Sequence, residues 1–210
     1  SIITGLDGAI TNIIKSFGSD NMIVFKFRGG FRVGNLTPEE WKRKPLTYDN
    51  ALAIQERCPS VLHASPFLFP DNRTFRKVKF KNNEVYRVNI GGTEEGYVNS
   101  GVEMLYGRFF TDIENRHHLP VAVIGENIYN QLFQKVDPVG KWIDVNGSQL
   151  EVIGVMKKPA NSLPGDDDNR VLLPYFTMHK MFPAVKENML IVIAYPGMAL
   201  KAQDETRAVL

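Results

Sequence analysis

The chain has 210 residues, of which 43% are hydrophobic and 23% are charged, enough to bury a core in one large domain or two small ones. A formal net charge of +2 argues against the strongly basic surface typical of nucleic-acid-binding domains. The single cysteine, Cys58, excludes an internal disulfide. The sequence contains no run of about 18 apolar residues, so it predicts no membrane span.

The first part of the chain reads as helix, strand, helix and strand. Apolar residues at helical spacing in 1–17 predict an amphipathic helix, and β-branched and aromatic residues at 21–27 predict a strand. A second helix is predicted over 46–57 with Thr47 as its N-cap, followed by a second strand over 60–69. Together these elements predict a β-α-β unit that is long enough for a crossover connection.

The middle of the chain predicts a hairpin and then a new module. Apolar and polar residues alternate over 73–90, with the reversal expected at Asn82-Asn83. The glycine pair and the acidic pair in 91–96 predict a boundary. Beyond it, the wholly apolar sequence VAVIG at 121–125 predicts a strand buried on both faces, and 126–133 predicts a short helix.

Residues 137–155, DPVGKWIDVNGSQLEVIGV, contain a Gly-Lys pair that resembles part of a phosphate-binding loop. That loop needs G-x-x-x-x-G-K-[ST], whereas Lys135 occupies the first glycine position and Trp142 the Ser/Thr position. A hairpin explains the segment better, because Asn146-Gly147 suits the positive φ angles of a type I′ turn. The predicted buried face comprises Ile143, Val145, Leu150 and Val152, and the predicted outer face comprises Asp144, Gln149 and Glu151.

The last part of the chain predicts a polar, proline-rich loop at 159–169, a strand at 170–174 followed by a helix, and a strand at 189–195 followed by a final helix. The helices at the two ends lack clear capping and stop signals. This pattern fits two interpretations: both helices continue in a longer protein, or both simply fray at their ends.

No set of residues forms a recognisable catalytic or metal-binding motif. The neighbours His117 and His118 point to opposite sides of an extended chain, so they chelate one metal poorly. The acidic run 166–168 lacks the alternating spacing of a calcium loop. Cys58 has His63 nearby in sequence but lacks the third group that orients a nucleophile's base. We predict no catalytic, cofactor-binding or metal-binding residues.

Two weaker signals have structural explanations. Asn35, Asn72 and Asn146 each begin an N-x-[ST] sequon, but such short matches arise by chance. The run RTFRKVKFK at 73–81 combines basic and aromatic residues, as strands that bind nucleic acid do. Lysines also protect exposed strands from aggregation, so we favour a solvated hairpin and predict no nucleic-acid partner.

Seven short motifs follow one another in a specific order. They are Gly107-Arg108, Val121–Gly125, Leu132-Phe133, Asp137–Lys141, Asn146-Gly147, Val152–Val155 and Val171–Pro174. Their order and spacing resemble the periplasmic core domain of MacB-type (MacB/FtsX-like) ABC transporter permeases. Weaker similarity extends over nearly the whole chain.

The resemblance implies an α+β fold with two parts. A split β-α-β, porter-like subdomain with a stalk helix at each end would comprise 1–92 and 185–210. A small mixed α/β subdomain, 93–184, would be inserted into it. The predicted boundary at 91–96 agrees with this division.

The resemblance also implies a location and a function. The chain would be the periplasmic, non-catalytic domain of a permease in the bacterial inner membrane, coupling ATP-driven movement of membrane helices to substrate export. Its partners would be the flanking transmembrane helices, a second permease protomer, a cytoplasmic ATPase domain and a membrane-fusion adaptor protein. The loops 28–45 and 159–169 are the expected partner contacts, and the isolated chain is expected to be monomeric.

Two alternatives remain open at this point. A lipoprotein-releasing or cell-division permease would share the scaffold and differ in cargo or partner. A stand-alone secreted binding protein or enzyme is the second alternative, and it would have no hydrophobic spans flanking the chain.

The absence of a nucleotide or metal motif leads to a test. We expect the isolated chain to hydrolyse no nucleotide and to keep its melting temperature in excess EDTA. Calorimetry with and without the chelator, together with a phosphate-release assay, measures both properties. Unfolding by EDTA would contradict the predicted absence of a structural metal.

Overall fold

A computed structural model describes residues 20–25, 44–68, 76–159, 169–186 and 188–210. The predicted helix at 1–17, most of the two loops 28–45 and 159–169, and the acidic run 166–168 lie outside the described residues. The chain divides into two compact units. Unit 1 comprises residues up to Pro66, Asn99–Gly101 and residues from Lys186 onward, and unit 2 comprises Phe67–Val98 and Val102–Val185.

Strands and helices alternate irregularly along the described residues. The strands are β1 (Asn21–Val24), β2 (Val61–Leu68), β3 (Lys77–Phe80), β4 (Asn83–Tyr86), β5 (Asn89–Thr93), β6 (Met104–Gly107), β7 (Val121–Gly125), β8 (Trp142–Val145), β9 (Ser148–Met156), β10 (Arg170–Pro174) and β11 (Asn188–Ala194). The α-helices are α1 (Tyr48–Arg57), α2 (Asp112–Arg116), α3 (Glu126–Phe133), α4 (Tyr175–Met181) and α5 (Ala199–Val209), and Glu95–Ser100 forms a 3₁₀ helix.

Unit 1 packs two helices with three neighbouring strands in the order β1–β11–β2. β1 and β11 run antiparallel, so that Val24 pairs with Leu190. The buried cluster joins α1, the strands and α5 through residues such as Ile54, Val192 and Ala202. The sequence patterns at both ends of the chain therefore supply one shared core.

Helix α1 begins where the sequence predicts. The Thr47 hydroxyl accepts a hydrogen bond from the backbone N–H of Asn50 at 3.3 Å. The Asn50 side-chain oxygen accepts one from the backbone N–H of Thr47 at 2.9 Å. This reciprocal capping box satisfies two donors at the helix start and confirms Thr47 as the N-cap.

Unit 2 contains strands in the order β5–β10–β7–β9–β8–β3–β4, with β6 also paired to β9. The pairs β5–β10 and β7–β9 are parallel, whereas β10–β7, β8–β9, β3–β8 and β3–β4 are antiparallel. All five residues of β7 are buried, which confirms the prediction from the VAVIG sequence. The mixed sheet and its helices make the chain an α+β protein.

The hairpin of β8 and β9 also has the predicted geometry. Asn146 and Gly147 have φ angles of 51° and 90°, and Val145 pairs with Ser148 across them. The side chains predicted to face the core are all buried; they are Ile143, Val145, Leu150 and Val152. One face of this hairpin therefore contributes to the core of unit 2.

The predicted hairpin over 73–90 is wrong in two details. Phe80 pairs with Asn83, so the reversal lies at Lys81-Asn82, and Lys81 adopts the positive φ angle of 53°. Asn83 begins β4 instead, with its side-chain nitrogen donating to the Leu132 carbonyl at 2.8 Å. The returning arm ends at Tyr86, and the residues after Arg87 (φ 57°) form the separate strand β5.

Gly91 and Gly92 lie inside β5 and not in a linker. A Cβ atom on Gly91 would lie 2.6 Å from the Phe67 ring, and one on Gly92 would lie 2.3 Å from Cβ of Met178. These glycines allow close packing in the core. Because β5 pairs with β10, it belongs to unit 2, which begins at Phe67 and ends at Val185. The division implied by the resemblance, 1–92 with 185–210 and the inserted 93–184, stays a prediction.

The turn at Asn146-Gly147 provides a direct test of the hairpin. We expect Gly147→Val to lower the free energy of unfolding by about 1–2 kcal/mol, because a β-branched residue resists positive φ. Open space surrounds the position where a Cβ would lie, so the backbone angle accounts for the effect. Urea unfolding measures it, with Gly147→Asn as the milder control; wild-type stability of the valine variant would contradict the turn.

Candidate functional sites

Among the residues that the structure describes, no group of three or more His, Cys, Asp and Glu side chains could hold a metal ion. Cys58 is buried at the C-cap of α1, where burial first and the Glu205 charge second raise the pKa of its thiol. A raised pKa keeps a thiol protonated and unreactive, which supports a structural role for Cys58.

The two histidines lie at the end of α2. His117 is the C-cap of this helix, and His118, with a φ angle of 53°, stacks its ring on Phe176 at 5.6 Å between ring centroids. The side chain of His118 therefore packs against a helix of the same unit. Of the three sequons, Asn35 and Asn72 lie outside the described residues.

The Gly140-Lys141 pair makes a turn in which its N–H groups are already used. Gly140, with a φ angle of 76°, donates its backbone N–H to the Val152 carbonyl at 2.8 Å. Lys141 donates to the Pro138 carbonyl at 3.1 Å, and the Asp137 carboxylate accepts from the N–H of Val139 at 3.0 Å. A phosphate loop requires such N–H groups to face the ligand, so the structure agrees with a turn leading into β8.

The basic run at the start of the hairpin is partly neutralised. Lys77 and Lys79 lie on β3 with Nζ atoms 3.4 and 3.9 Å from Oε1 of Glu84. Val78 between them is buried. The alternation and the neighbouring carboxylate fit a solvated sheet face better than a strand that binds nucleic acid.

That sheet face carries a shallow depression around Trp142. The depression is lined by Lys79, Lys81, Trp142, Asp144 and Gln149. Half of the Trp142 surface is exposed. Asp144 already accepts hydrogen bonds from the Gly147 N–H at 2.8 Å and from Gln149 at 3.1 Å. Trp142 is the aromatic side chain among the residues that line this depression.

A partly buried ion pair supports the chain just after β6. Two guanidinium nitrogens of Arg108 donate to the two carboxylate oxygens of Glu114, each at 2.8 Å. Glu114 also accepts from the backbone N–H and hydroxyl of Thr111 at 2.8 and 2.9 Å. These donors, with Arg108 as the largest contributor, lower the pKa of Glu114 to about 2. The T-x-x-E spacing of a capping box was the sequence signal for this site, and sequence analysis missed it.

Two glycines allow the Arg108 segment to approach β9. A Cβ on Gly107 would lie 2.2 Å from the Ile153 carbonyl oxygen, and one on Gly154 would lie 2.3 Å from the Arg108 carbonyl oxygen. The Arg108 N–H donates to the same Ile153 oxygen at 3.0 Å. The Gly107-Arg108 motif is therefore structural, with the glycine giving access and the arginine holding Glu114.

The terminal segments of unit 1 meet at one place. The Asp20 carbonyl accepts from the N–H of Ala194 at 2.9 Å, and the Asp20 carboxylate accepts from the N–H of Gly197 at 3.2 Å. Gly197 lies two residues before α5 begins. The residue just before β1 is thus bonded to the end of β11 and to the connection between β11 and α5. Among the described residues, no helix is long and apolar enough to cross a membrane.

Solved structures show what class of fold this is. The chain matches the crystal structure of the periplasmic region of MacB from Actinobacillus actinomycetemcomitans with a TM-score of 0.71 and 18% identity, covering 93% of this chain and 85% of that one. It matches the extracellular domain of a noncanonic ABC-type transporter, YknZ, from Gram-positive bacteria with a TM-score of 0.63 and 17% identity, covering 79% and 82%. The chain therefore has the fold of these two solved domains.

The sequence comparison then identifies the family. The profile of the MacB-like periplasmic core domain family matches residues 1–209, so the chain belongs to this family. It is 29% identical over 181 residues to the macrolide export ATP-binding/permease protein MacB of Bdellovibrio bacteriovorus, covering 85% of this chain and 27% of that protein. The corresponding Neisseria gonorrhoeae protein is 29% identical over 215 residues, covering 96% and 32%. The chain spans about a third or less of the length of these relatives.

The ion pair leads to a prediction of pH dependence. Because the folded pKa of Glu114 lies near 2 and its ordinary value is 4.5, its contribution to stability is complete above 4.5 and is lost as pH falls toward 2. More than half of the Arg108 side chain is exposed, so we expect Glu114→Gln to cost about 2 kcal/mol at pH 7. The cost should shrink between pH 4.5 and 2.

Asp112→Asn is the matched control for that variant. Asp112 lies on the same helix and pairs with Arg116 at 2.8 Å, but both side chains are exposed. We expect a loss below about 0.5 kcal/mol from this control. Denaturant unfolding at several pH values measures both variants, and a pH-independent loss in Glu114→Gln would contradict the assigned charge state.

Proposed function

We propose that this chain is the extracytoplasmic part of an ABC exporter in a bacterial inner membrane and that it transmits movement and performs no chemistry. In this function, ATP-driven shifts of membrane helices reach the chain through its two ends. A substrate then leaves the periplasm through a partner assembly. ATP hydrolysis would belong to a cytoplasmic domain outside this chain.

The bonded terminal segments carry the proposal. Asp20 is bonded to Ala194 and Gly197, and β1 pairs with β11 along its length. A displacement applied to either end is therefore shared at once by neighbouring strands of unit 1. Rigid elements that move as a body are what mechanical coupling requires.

The relatives support the remaining parts of this proposal. Their name combines macrolide export, ATP binding and a permease. We infer from it that the complete protein has an ATPase domain and transmembrane helices and acts with a second protomer and a membrane-fusion adaptor. The terminal segments would form the porter-like subdomain that the membrane helices move. The inserted subdomain would bind the adaptor.

A resistance assay tests this function. The complete reading frame that contains this chain is expressed, with its neighbouring adaptor gene, in a bacterial strain that lacks its own macrolide pump. We expect a higher erythromycin concentration to be needed to stop growth, and we expect the gain to vanish when the lysine of the ATP-binding loop is replaced.

The reading frame and the assay together distinguish a macrolide exporter from a stand-alone secreted protein and from a sibling permease. A reading frame without hydrophobic spans around this chain would contradict the proposal and favour a stand-alone secreted protein. Unchanged erythromycin sensitivity together with altered release of lipoproteins, or with a cell-division defect, would assign the scaffold to a sibling permease. In either case, macrolide export would be excluded as the activity.

A further inference from the structure

Helix α5 is fastened to the loop between α1 and β2 by both oxygens of one carboxylate. The backbone N–H of Ser60 donates to Oε2 of Glu205 at 2.9 Å, and the Ser60 hydroxyl donates to Oε1 at 3.0 Å. Ser60 is 4% exposed and the Glu205 side chain is 20% exposed. Hydrogen bonds to a charged acceptor in such a shielded position are among the stronger ones in proteins.

Ser60 also connects this helix to the sheet of unit 1. Its carbonyl accepts a hydrogen bond from the N–H of Tyr195 at 3.1 Å, one residue after β11 ends. β2 begins at the next residue, Val61. The backbone and hydroxyl groups of Ser60 therefore join the start of β2, the end of β11 and the side of α5.

The apolar contact of α5 consists of two small buried residues and the partly buried Val209. Its buried residues are Ala202 and Thr206, both small, and Ala202 packs in the cluster that contains Cys58 and Leu190. Small side chains interlock weakly with their neighbours. A slide by one residue moves a helix about 1.5 Å and turns it about 100°, which would break both hydrogen bonds of Glu205.

We propose that Glu205 is the positioning residue that transmits axial movement of α5 to the sheet of unit 1. Its carboxylate moves with the helix and carries Ser60 with it, and Ser60 displaces the start of β2 and the end of β11 together. Without this contact, movement of α5 would reach the sheet only through the short connection to β11 and through the packing of its buried residues, so less of the movement would arrive at the start of β2. The inference rests on the proposed function, in which α5 receives the movement of a membrane helix.

The test compares four variants in the full-length protein. They are Glu205→Ala, Glu205→Gln, Ser60→Ala and the double variant Ser60→Ala/Glu205→Ala. Asp204→Ala is the matched control, because Asp204 is the preceding residue of α5 and is exposed, 3.5 Å from Arg207. The measured quantities are ATP hydrolysis in membranes, erythromycin export from cells and hydrogen exchange of the peptides that contain Ser60 and α5.

We expect Glu205→Ala to lower export per ATP hydrolysed by about tenfold, with ATP hydrolysis retained. Ser60→Ala keeps its backbone N–H and should lose about threefold, and Glu205→Gln, which keeps one acceptor oxygen, should lie between the two. The double variant should be no worse than Glu205→Ala, because one contact cannot be lost twice. The Ser60 and α5 peptides should exchange faster in Glu205→Ala, and Asp204→Ala should match the wild type.

Three results would overturn this inference. Export and ATP hydrolysis could fall in the same proportion, which indicates loss of folded protein and not of coupling. The effects of Ser60→Ala and Glu205→Ala could multiply, which excludes a shared contact. The Glu205 variants could behave like Asp204→Ala. A wild-type protein that exports no erythromycin would instead exclude macrolide export as the activity, a result visible before any variant is compared.

Discussion

The bulge at Ile153 in β9 is the constraint on which unit 2 depends. β9 pairs with β8, β7 and β6, and its pairing with β7 skips Ile153, because Ala122 pairs with Val152 and Val123 with Gly154. The carbonyl of the extra residue is thereby free to accept the Arg108 N–H. Gly107 and Gly154 then lack the Cβ atoms that would keep the two backbones apart. A single extra residue in β9 therefore determines where β6 ends. The Arg108–Glu114 pair follows directly after that end.

The ion pair shows how a local motif becomes a tertiary contact. Thr111 and Glu114 alone would cap a helix of only five residues, which is too short to be stable by itself. Arg108, in the loop before the helix, donates two hydrogen bonds to the Glu114 carboxylate that caps it. The side-chain oxygen of Asn115 accepts a hydrogen bond from the Phe176 N–H at 3.1 Å. This short helix is therefore held from two sides by side-chain hydrogen bonds. At Ser60, likewise, two hydrogen bonds to Glu205 hold α5, whose buried side chains are small.

Sequence reasoning succeeded where the determining interactions are local. The turn at Asn146-Gly147, the capping box at Thr47 and the apolar strand Val121–Gly125 each follow from a few adjacent residues. The family resemblance came from several such motifs in order. These motifs were sufficient for the α+β fold and the family. Three of the seven proved to be turns or strand ends, and the others lie in strands or at the end of a helix.

The errors and omissions have a different origin. The pair Gly91-Gly92 was interpreted as part of a boundary. Its packing partners, Phe67 and Met178, are distant in the sequence, so no local pattern shows that these glycines lie in the core. The hydrogen bonds between Ser60 and Glu205 join residues 145 positions apart, and no local pattern indicates them. β6 and α2 are short, and the sequence signal for each is weak. Contacts of this kind depend on the assembled core and cannot be read from periodicity.

The hidden thiol of Cys58 has a practical consequence. It is the chain's only cysteine, and its burial and raised pKa disfavour the thiolate that maleimide and methanethiosulfonate reagents attack. Cysteines introduced on the surface would therefore react selectively in the native protein, with Cys58 left in place. Pairs of spin labels or fluorophores could then report distances within this chain, with Cys58 left unmodified.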